Sequence, residues 1–315
     1  MNKIILFSFY LSFTLLIVFF LFWQSDFNFQ YIISNRLIRL GAIIVGGVCV
    51  AFSAICFQTI CGNRIITPAI MGYEAVYLCF QATLILIFGT ASQIVIGAYS
   101  NFFLSIVVML IYSFALQQLL FKNGQKNVYF LLLSGLIITL VISSVTQLIQ
   151  YSISPGEFAI FQGFSLTSFN RVELLQLIVA FVITATVVLS LQKQHRRFDI
   201  LLLGQDQAQS LGINTHHFIK LNLALIAILV AVSTSLLGPT AFMGIFVANL
   251  AYSLVKVTRH WCILKVASII AVTAFLIAQV LVEHVFNYRL TAGILVNLFC
   301  AAYFLVLIIR PRNYL

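Results

Sequence analysis

The chain has 315 residues, of which 62% are hydrophobic and 8% charged, with a mean hydropathy of +1.11. A soluble domain carries about 25% charged residues, so this composition excludes a soluble enzyme or binding module. It indicates an all-α, polytopic integral membrane protein, and the length allows roughly nine to eleven spanning helices. A net charge of +10 would suggest nucleic acid as the partner of a soluble protein. Here the cations flank apolar spans, which makes them topology signals and contacts to membrane lipid, with no nucleic acid implied.

Lys3 precedes an apolar run over residues 4–23. That run is too long for the core of a signal peptide and no small-x-small cleavage site follows it, which predicts a first span. Nine more spans are predicted at residues 37–60, 69–88, 94–121, 128–150, 172–191, 218–237, 240–255, 263–285 and 291–309. The eighth and tenth are short enough to tilt or to re-enter.

Ten spans place both termini on one side. With the termini in the cytoplasm, Lys3, Arg64, Lys122, Lys126, Lys193, Arg196, Arg197, Lys220, Lys256, Arg259, Lys265, Arg310 and Arg312 lie inside. Only Arg36, Arg39, Arg171 and Arg289 lie outside, so thirteen of the seventeen Lys and Arg are cytoplasmic, as the positive-inside rule requires. Asp26, Glu157, Glu173 and Glu283 fall outside, and Asp199 and Asp206 inside.

Between the sixth and seventh spans lies an amphipathic island, LLLGQDQAQSLGIN, at residues 201–214, preceded by the basic run at 193–197. Leu201, Leu202, Leu203, Ala208, Leu211 and Ile213 alternate with Gln205, Asp206, Gln207 and Gln209, while Gly204 and Gly212 punctuate the segment as helix ends do. The expectation is a small helical platform, residues 198–214, presented to the cytoplasm for a docked partner. The chain has no GxxxxGK[ST] loop, no HExxH and no CxxC, so it shows no ATP, metal or redox motif of its own. Cys49, Cys56, Cys61, Cys79, Cys262 and Cys300 are scattered in or near spans and read as small buried hydrophobes. His216 and His217 read as a polar helix start. No catalytic residue, metal ligand or cofactor is expected.

Four features stand out near or in the spans. Arg36 and Arg39 are three apart and share a helix face at the outer end of the second span; either they pair with carboxylates of a docking protein or they snorkel to headgroups. Gly41, Ala42, Gly46 and Gly47 permit close helix approach. Ser143, Ser144, Thr146, Gln147 and Gln150 make half of the fifth span polar, and Ser143 and Gln147 are candidates for a translocation path. Glu74 is a carboxylate inside the third span. It either lines that path or supports a helix start near Pro68.

Taken together, several blocks resemble the FecCD family, the permease subunits of ferric-siderophore and cobalamin ABC importers. The island is similar to that family's coupling segment, close to LLLGEEAARSLGV. Arg36-Leu37-Ile38-Arg39 with the small-residue run resembles its RLPR and second span, and the segment from Asn63 to Gly72 resembles its NPLADPGLLG. Gly238-Pro239-Thr240-Ala241-Phe242-Met243-Gly244 resembles its GPIGFVG, and Leu290-Thr291-Ala292-Gly293 its LPVG. The departures are Ile38 and Thr291 in place of proline, Gln205-Asp206 in place of the acidic pair, Gln209 in place of arginine, and Ala248-Asn249 in place of Pro-His. The variant around Asn63–Glu74 is similar to a subgroup handling catechol or mixed-ligand siderophores that pairs with a second, non-identical permease.

The resemblance implies a type II importer permease that moves a ferric siderophore across the inner membrane, driven by separate ATP-binding subunits. Those subunits would dock on Leu202, Leu203, Gly204, Asp206, Leu211 and Gly212. A periplasmic or lipoprotein siderophore-binding protein would dock at Arg36 and Arg39. A second permease subunit would complete the path. An ion-driven secondary transporter is the alternative; it would be expected to show several intramembrane carboxylates and an inverted repeat. A membrane-embedded lipid enzyme would need a His, Asp or Glu cluster at one face, and the sequence shows none.

Overall fold

A computed structural model describes residues 3–23, 32–121, 128–240, 242–255 and 259–309. Asp26, Lys122, Lys126, Ala241, Lys256, Arg310 and Arg312, which enter the predictions above, lie outside the described residues. Those described form helices α1 (Lys3–Phe22), α2 (Ser34–Cys61), α3 (Tyr73–Phe88), α4 (Ser92–Phe121), α5 (Val128–Ser152), α6 (Pro155–Ser165) and α7 (Leu174–Lys193). They continue as α8 (His195–Leu201), α9 (Gln205–Ser210), α10 (Thr215–Leu237), α11 (Met243–Leu254), α12 (His260–His284) and α13 (Ala292–Ile309). Among the described residues there is no strand.

Seven helices are long and apolar enough to cross a membrane: α2, α3, α4, α5, α7, α10 and α12. The apolar stretches 11–22, Met243–Leu254 and 292–306 are shorter. Each of the ten predicted spans thus coincides with an apolar helix, of which seven meet the length for crossing by themselves.

Helix α2 is the hub. Its last two-thirds is almost wholly buried, and it packs between α10 and α12. The small-residue run explains the closeness. A Cβ on Gly47 would stand 2.8 Å from Val272 Cγ2 and 3.0 Å from the Val272 backbone nitrogen, and one on Gly46 would collide with Leu237. Gly47→Ala is therefore expected to destabilise by about 1–3 kcal/mol through overpacking, seen as a lower thermal midpoint in detergent. Gly163→Ala, on α6 with nothing within 4 Å of the added carbon, is expected to leave that midpoint unchanged.

Two breaks in the helices meet inside the bundle. The chain enters α3 through a 3-10 turn, Pro68–Met71, closed by Gly72 at φ +86°. The freed carbonyls are taken by neighbouring spans: Tyr112 OH donates to Met71 O at 2.7 Å and Thr139 Oγ1 to Ile70 O at 3.2 Å. Such capping is what allows non-helical backbone at membrane depth. The second break follows α10. The sequence places a span over residues 240–255, but the helix begins only at Met243. Its 12 residues span about 18 Å at 1.5 Å each, short of the roughly 30 Å hydrocarbon core. Around this break, Leu237 O accepts from Ser168 N at 2.9 Å, Pro239 O accepts from Thr167 Oγ1, and Gly293 N donates to Thr167 O at 2.9 Å. Gly238, at φ +95°, lies so close to Leu166 O that a Cβ would sit 2.9 Å from it.

The segment 151–170, which lies between the fifth and sixth predicted spans, contains α6. Ser154 and Glu157 form a capping box, with Glu157 N donating to Ser154 Oγ at 3.4 Å and Ser154 N to Glu157 Oε2 at 2.7 Å. Pro155 stands at the first helical position, where its missing N–H costs nothing.

Candidate functional site

The amphipathic island folds as two very short helices rather than one. Helix α8 ends at Leu201, α9 runs from Gln205, and Gly204 turns the chain between them at φ 112°, ψ 154°, a conformation essentially restricted to glycine. Gly212, at φ +86°, closes the segment. Asn214 then caps α10 by accepting from His217 N at 3.1 Å.

This arrangement sorts the apolar side chains into two sets. Phe198, Leu201 and Ala208 are buried and fasten the segment to the bundle. The Phe198 ring stacks on His260 at 4.8 Å and 6°, and meets Phe218 edge-on at 5.0 Å. Asp199 Oδ1 accepts from His260 N at 2.7 Å, capping the start of α12. Leu202, Leu203 and Leu211 are exposed at 49, 59 and 62%. Asp206, in the first turn of α9, is exposed beside them. The result is a ridge of exposed leucines with one carboxylate, held against the first turn of a long helix.

The opposite end differs from expectation. Arg36 is not an exposed cation. It is 4% exposed, and its guanidinium donates to Glu283 Oε1 from Nε at 3.0 Å and Nη2 at 2.6 Å. Its Nη1 donates to Leu21 O at 3.2 Å and Trp23 O at 2.7 Å. The residue thus ties the end of α1 and the end of α12 to α2. Arg39 stays half-buried. It lies 3.5 Å from Glu283 Oε2 and donates to Tyr288 OH at 2.9 Å. Partial burial raises the Tyr288 phenol above its ordinary pKa, while Arg39 pulls the other way.

Glu74 lies at the meeting of the two breaks. Its Oε1 accepts from Thr240 N at 3.0 Å, so the carboxylate joins the first turn of α3 to the segment before α11. Thr67, Ser233 and Gly244 surround the same small space. Ser143 is half-buried and Gln147 exposed on α5. One face of that helix, Leu133, Leu136, Ile137, Leu140, Val141 and Leu148, is exposed at 44–68%. Among the described residues no three of His, Cys, Asp and Glu come together as metal ligands would.

The family model of the FecCD transport family matches residues 1–310. The chain belongs to the FecCD transport family. It is a multi-pass transport permease of the membrane. This family member is 34% identical over 294 residues to the petrobactin import system permease protein YclO of Bacillus subtilis (strain 168), covering 93% of each chain. It is 29% identical over 285 residues to the petrobactin import system permease protein FatC of Bacillus anthracis, covering 90% of this chain and 80% of that one. Its fold matches a solved ABC transporter of metal-chelate type in an inward-facing conformation, with a TM-score of 0.83 at 23% identity, over 98% of this chain and 99% of the other.

Proposed function

We propose that the chain is the membrane-spanning subunit of an ABC importer for a ferric siderophore, embedded in the cytoplasmic (inner) membrane with ten spans and both termini cytoplasmic. Separate ATP-binding subunits dock on residues 198–214. A siderophore-binding protein docks on the outer face, where Arg39 rather than Arg36 presents the accessible guanidinium. A second permease covers the exposed face of α5, and cargo passes between the two along Ser143 and Gln147. The ridge of Leu202, Leu203 and Leu211 carries this reading, because an ion-driven transporter has no use for it. The likeness to the petrobactin import system permeases of Bacillus subtilis and Bacillus anthracis supports the cargo class.

The platform is fastened to α12 through Phe198, Asp199 and His260, and α12 is packed on α2. Closure of an ATPase pair would therefore displace the hub of the bundle along with the platform. The test is reconstitution with the ATPase and binding protein in vesicles. Uptake of a ferric catechol siderophore is expected to require ATP on the ATPase side and to survive an ionophore. Uptake that survives without ATP and collapses with the ionophore sinks the proposal in favour of ion-driven transport.

Glu74 gives a second test. Glu74→Gln keeps the oxygen that accepts from Thr240 N, so uptake is expected to stay within about twofold. Glu74→Leu removes the acceptor and strands the amide, at about 1–3 kcal/mol, which a lowered thermal midpoint would register. Slow uptake by the Gln variant at normal membrane abundance would instead make the carboxylate part of the path.

A further inference from the structure

The corner that follows α12 holds strained backbone. Among the described residues, Asn287 at φ 44° and Tyr288 at φ 59° are the non-glycine positions in the left-handed region, and they are consecutive. Asn287 has an ordinary explanation. Tyr288 N donates to Val282 O at 2.9 Å, the long bond of a Schellman turn, and asparagine is the common substitute for glycine at the left-handed position of such a turn. Tyr288 has no such explanation. A bulky residue at positive φ is an outlier. Strain of this kind persists only where the surroundings impose it, and it clusters at functional sites.

The strained position holds a fixed ring at the surface. Tyr288 OH accepts from Arg39 Nη1 at 2.9 Å, and the Arg39 guanidinium lies over the ring, 5.8 Å from its centroid. Despite these contacts Tyr288 is 48% exposed, and Val285 is 61% exposed. Asn287 and Arg289 are exposed as well. The charge around the ring is positive. The Glu283 side chain is 10% exposed and is engaged by Arg36 and Arg39, which leaves the Arg39 and Arg289 guanidiniums nearest the surface.

We propose that Tyr288 is the aromatic anchor on which the siderophore-binding protein docks, seated in an apolar pocket of that protein with an acidic rim. The proposal rests on the importer reading above, whose topology puts this corner on the outer face. It moves the centre of the docking surface from α2 to the α12–α13 connection. Tyrosine supplies a large, rigid contact with few torsions to freeze, and tyrosine and arginine are enriched among the residues that dominate protein interfaces. A lipid head group is the other contact open to an exposed tyrosine at a membrane surface. It needs no fixed ring direction, so it gives no reason for the left-handed backbone at Tyr288.

The test is binding of the siderophore-binding protein, loaded with a ferric catechol siderophore, to the full permease–ATPase complex in nanodiscs, with the thermal midpoint measured alongside. Tyr288→Ala is expected to weaken binding by at least about tenfold, mainly through faster dissociation. Tyr288→Phe keeps the ring and should stay within about threefold of the parent chain. Tyr288→Gly should weaken binding as much as the alanine variant while holding or raising the thermal midpoint, because glycine adopts φ 59° without strain. A residue with a purely structural role would move both readouts down together. Arg289→Gln should slow association at low salt and leave dissociation nearly unchanged. If Tyr288→Ala binds as the parent chain does, the proposal is overturned and Tyr288 becomes a head-group contact. Affinity that falls only in step with the midpoint overturns it too. Failure of the parent chain itself to bind is a different result: it sinks the importer reading and this proposal with it.

Discussion

Leu203→Asp or Leu211→Asp is expected to abolish co-purification of the ATP-binding subunit and siderophore uptake, while leaving the permease in the membrane at its usual level. Both side chains are more than half exposed in the chain by itself, and exposed substitutions of this kind change stability by no more than about 0.5 kcal/mol. Burying a leucine against a partner contributes about 1.5–3 kcal/mol. Losing one contact therefore weakens the complex by roughly ten- to a hundredfold, and an unpaired carboxylate placed in the same interface weakens it further. Leu201→Asp is the contrasting case. Leu201 is 4% exposed and sits among the residues that fasten the platform, so that variant should lose the folded protein itself. Retained ATPase binding and intact uptake in the Leu203 and Leu211 variants would remove the platform from the mechanism.

The order of apolar helices was legible because a span announces itself locally, as a run of side chains that water would not tolerate. The island at 201–214 was legible for the complementary reason: polar residues and two glycines interrupt an otherwise membrane-grade chain. Helix α6 carried a readable signal too, since Ser154 and Glu157 stand at capping-box spacing with Pro155 at the first helical position. The same Ser154-Pro155-Gly156 sequence also suits a turn, so the local signal does not separate the two. Arg36 could not have been placed from the sequence. Its partner Glu283 is 247 residues away, and periodicity puts both Arg36 and Arg39 at the same outer rim without telling which one faces inward. Glu74 is similar, since its partner is a backbone amide 166 residues distant. The break before α11 was hidden because Thr240, Ala241 and Phe242 are no less apolar than the helix they precede. What holds the chain at Pro239 and Thr240 out of helix is a set of bonds with Thr167, Ser168 and Glu74, which are properties of the fold.

That buried cluster sets the other large effect. Arg36→Met is expected to lower the thermal midpoint and membrane abundance steeply, because it leaves the Glu283 carboxylate, 10% exposed, without its close partner. Breaking a buried pair from one side costs about 3–5 kcal/mol. It also frees Leu21 O and Trp23 O at the end of α1, where a cation is favourable. Removing both charges in Arg36→Met with Glu283→Leu should recover part of the loss, since an apolar replacement of the pair leaves no stranded charge. Exchanging them, Arg36→Glu with Glu283→Arg, should not, because a carboxylate at position 36 cannot donate to the α1 carbonyls. Arg39→Gln separates docking from stability better than a charge reversal would, since it sets no second carboxylate beside Glu283 Oε2, which lies 3.5 Å from the Arg39 guanidinium. It should lower the thermal midpoint far less than Arg36→Met and weaken association with the binding protein, more at low salt than at high, because charges near the surface are screened over roughly 10 Å at 0.1 M salt. If Arg36→Met stayed as stable as the parent chain and lost only binding-protein affinity, the pairing with Glu283 would have no structural weight and Arg36 would return to the outer surface as a docking residue.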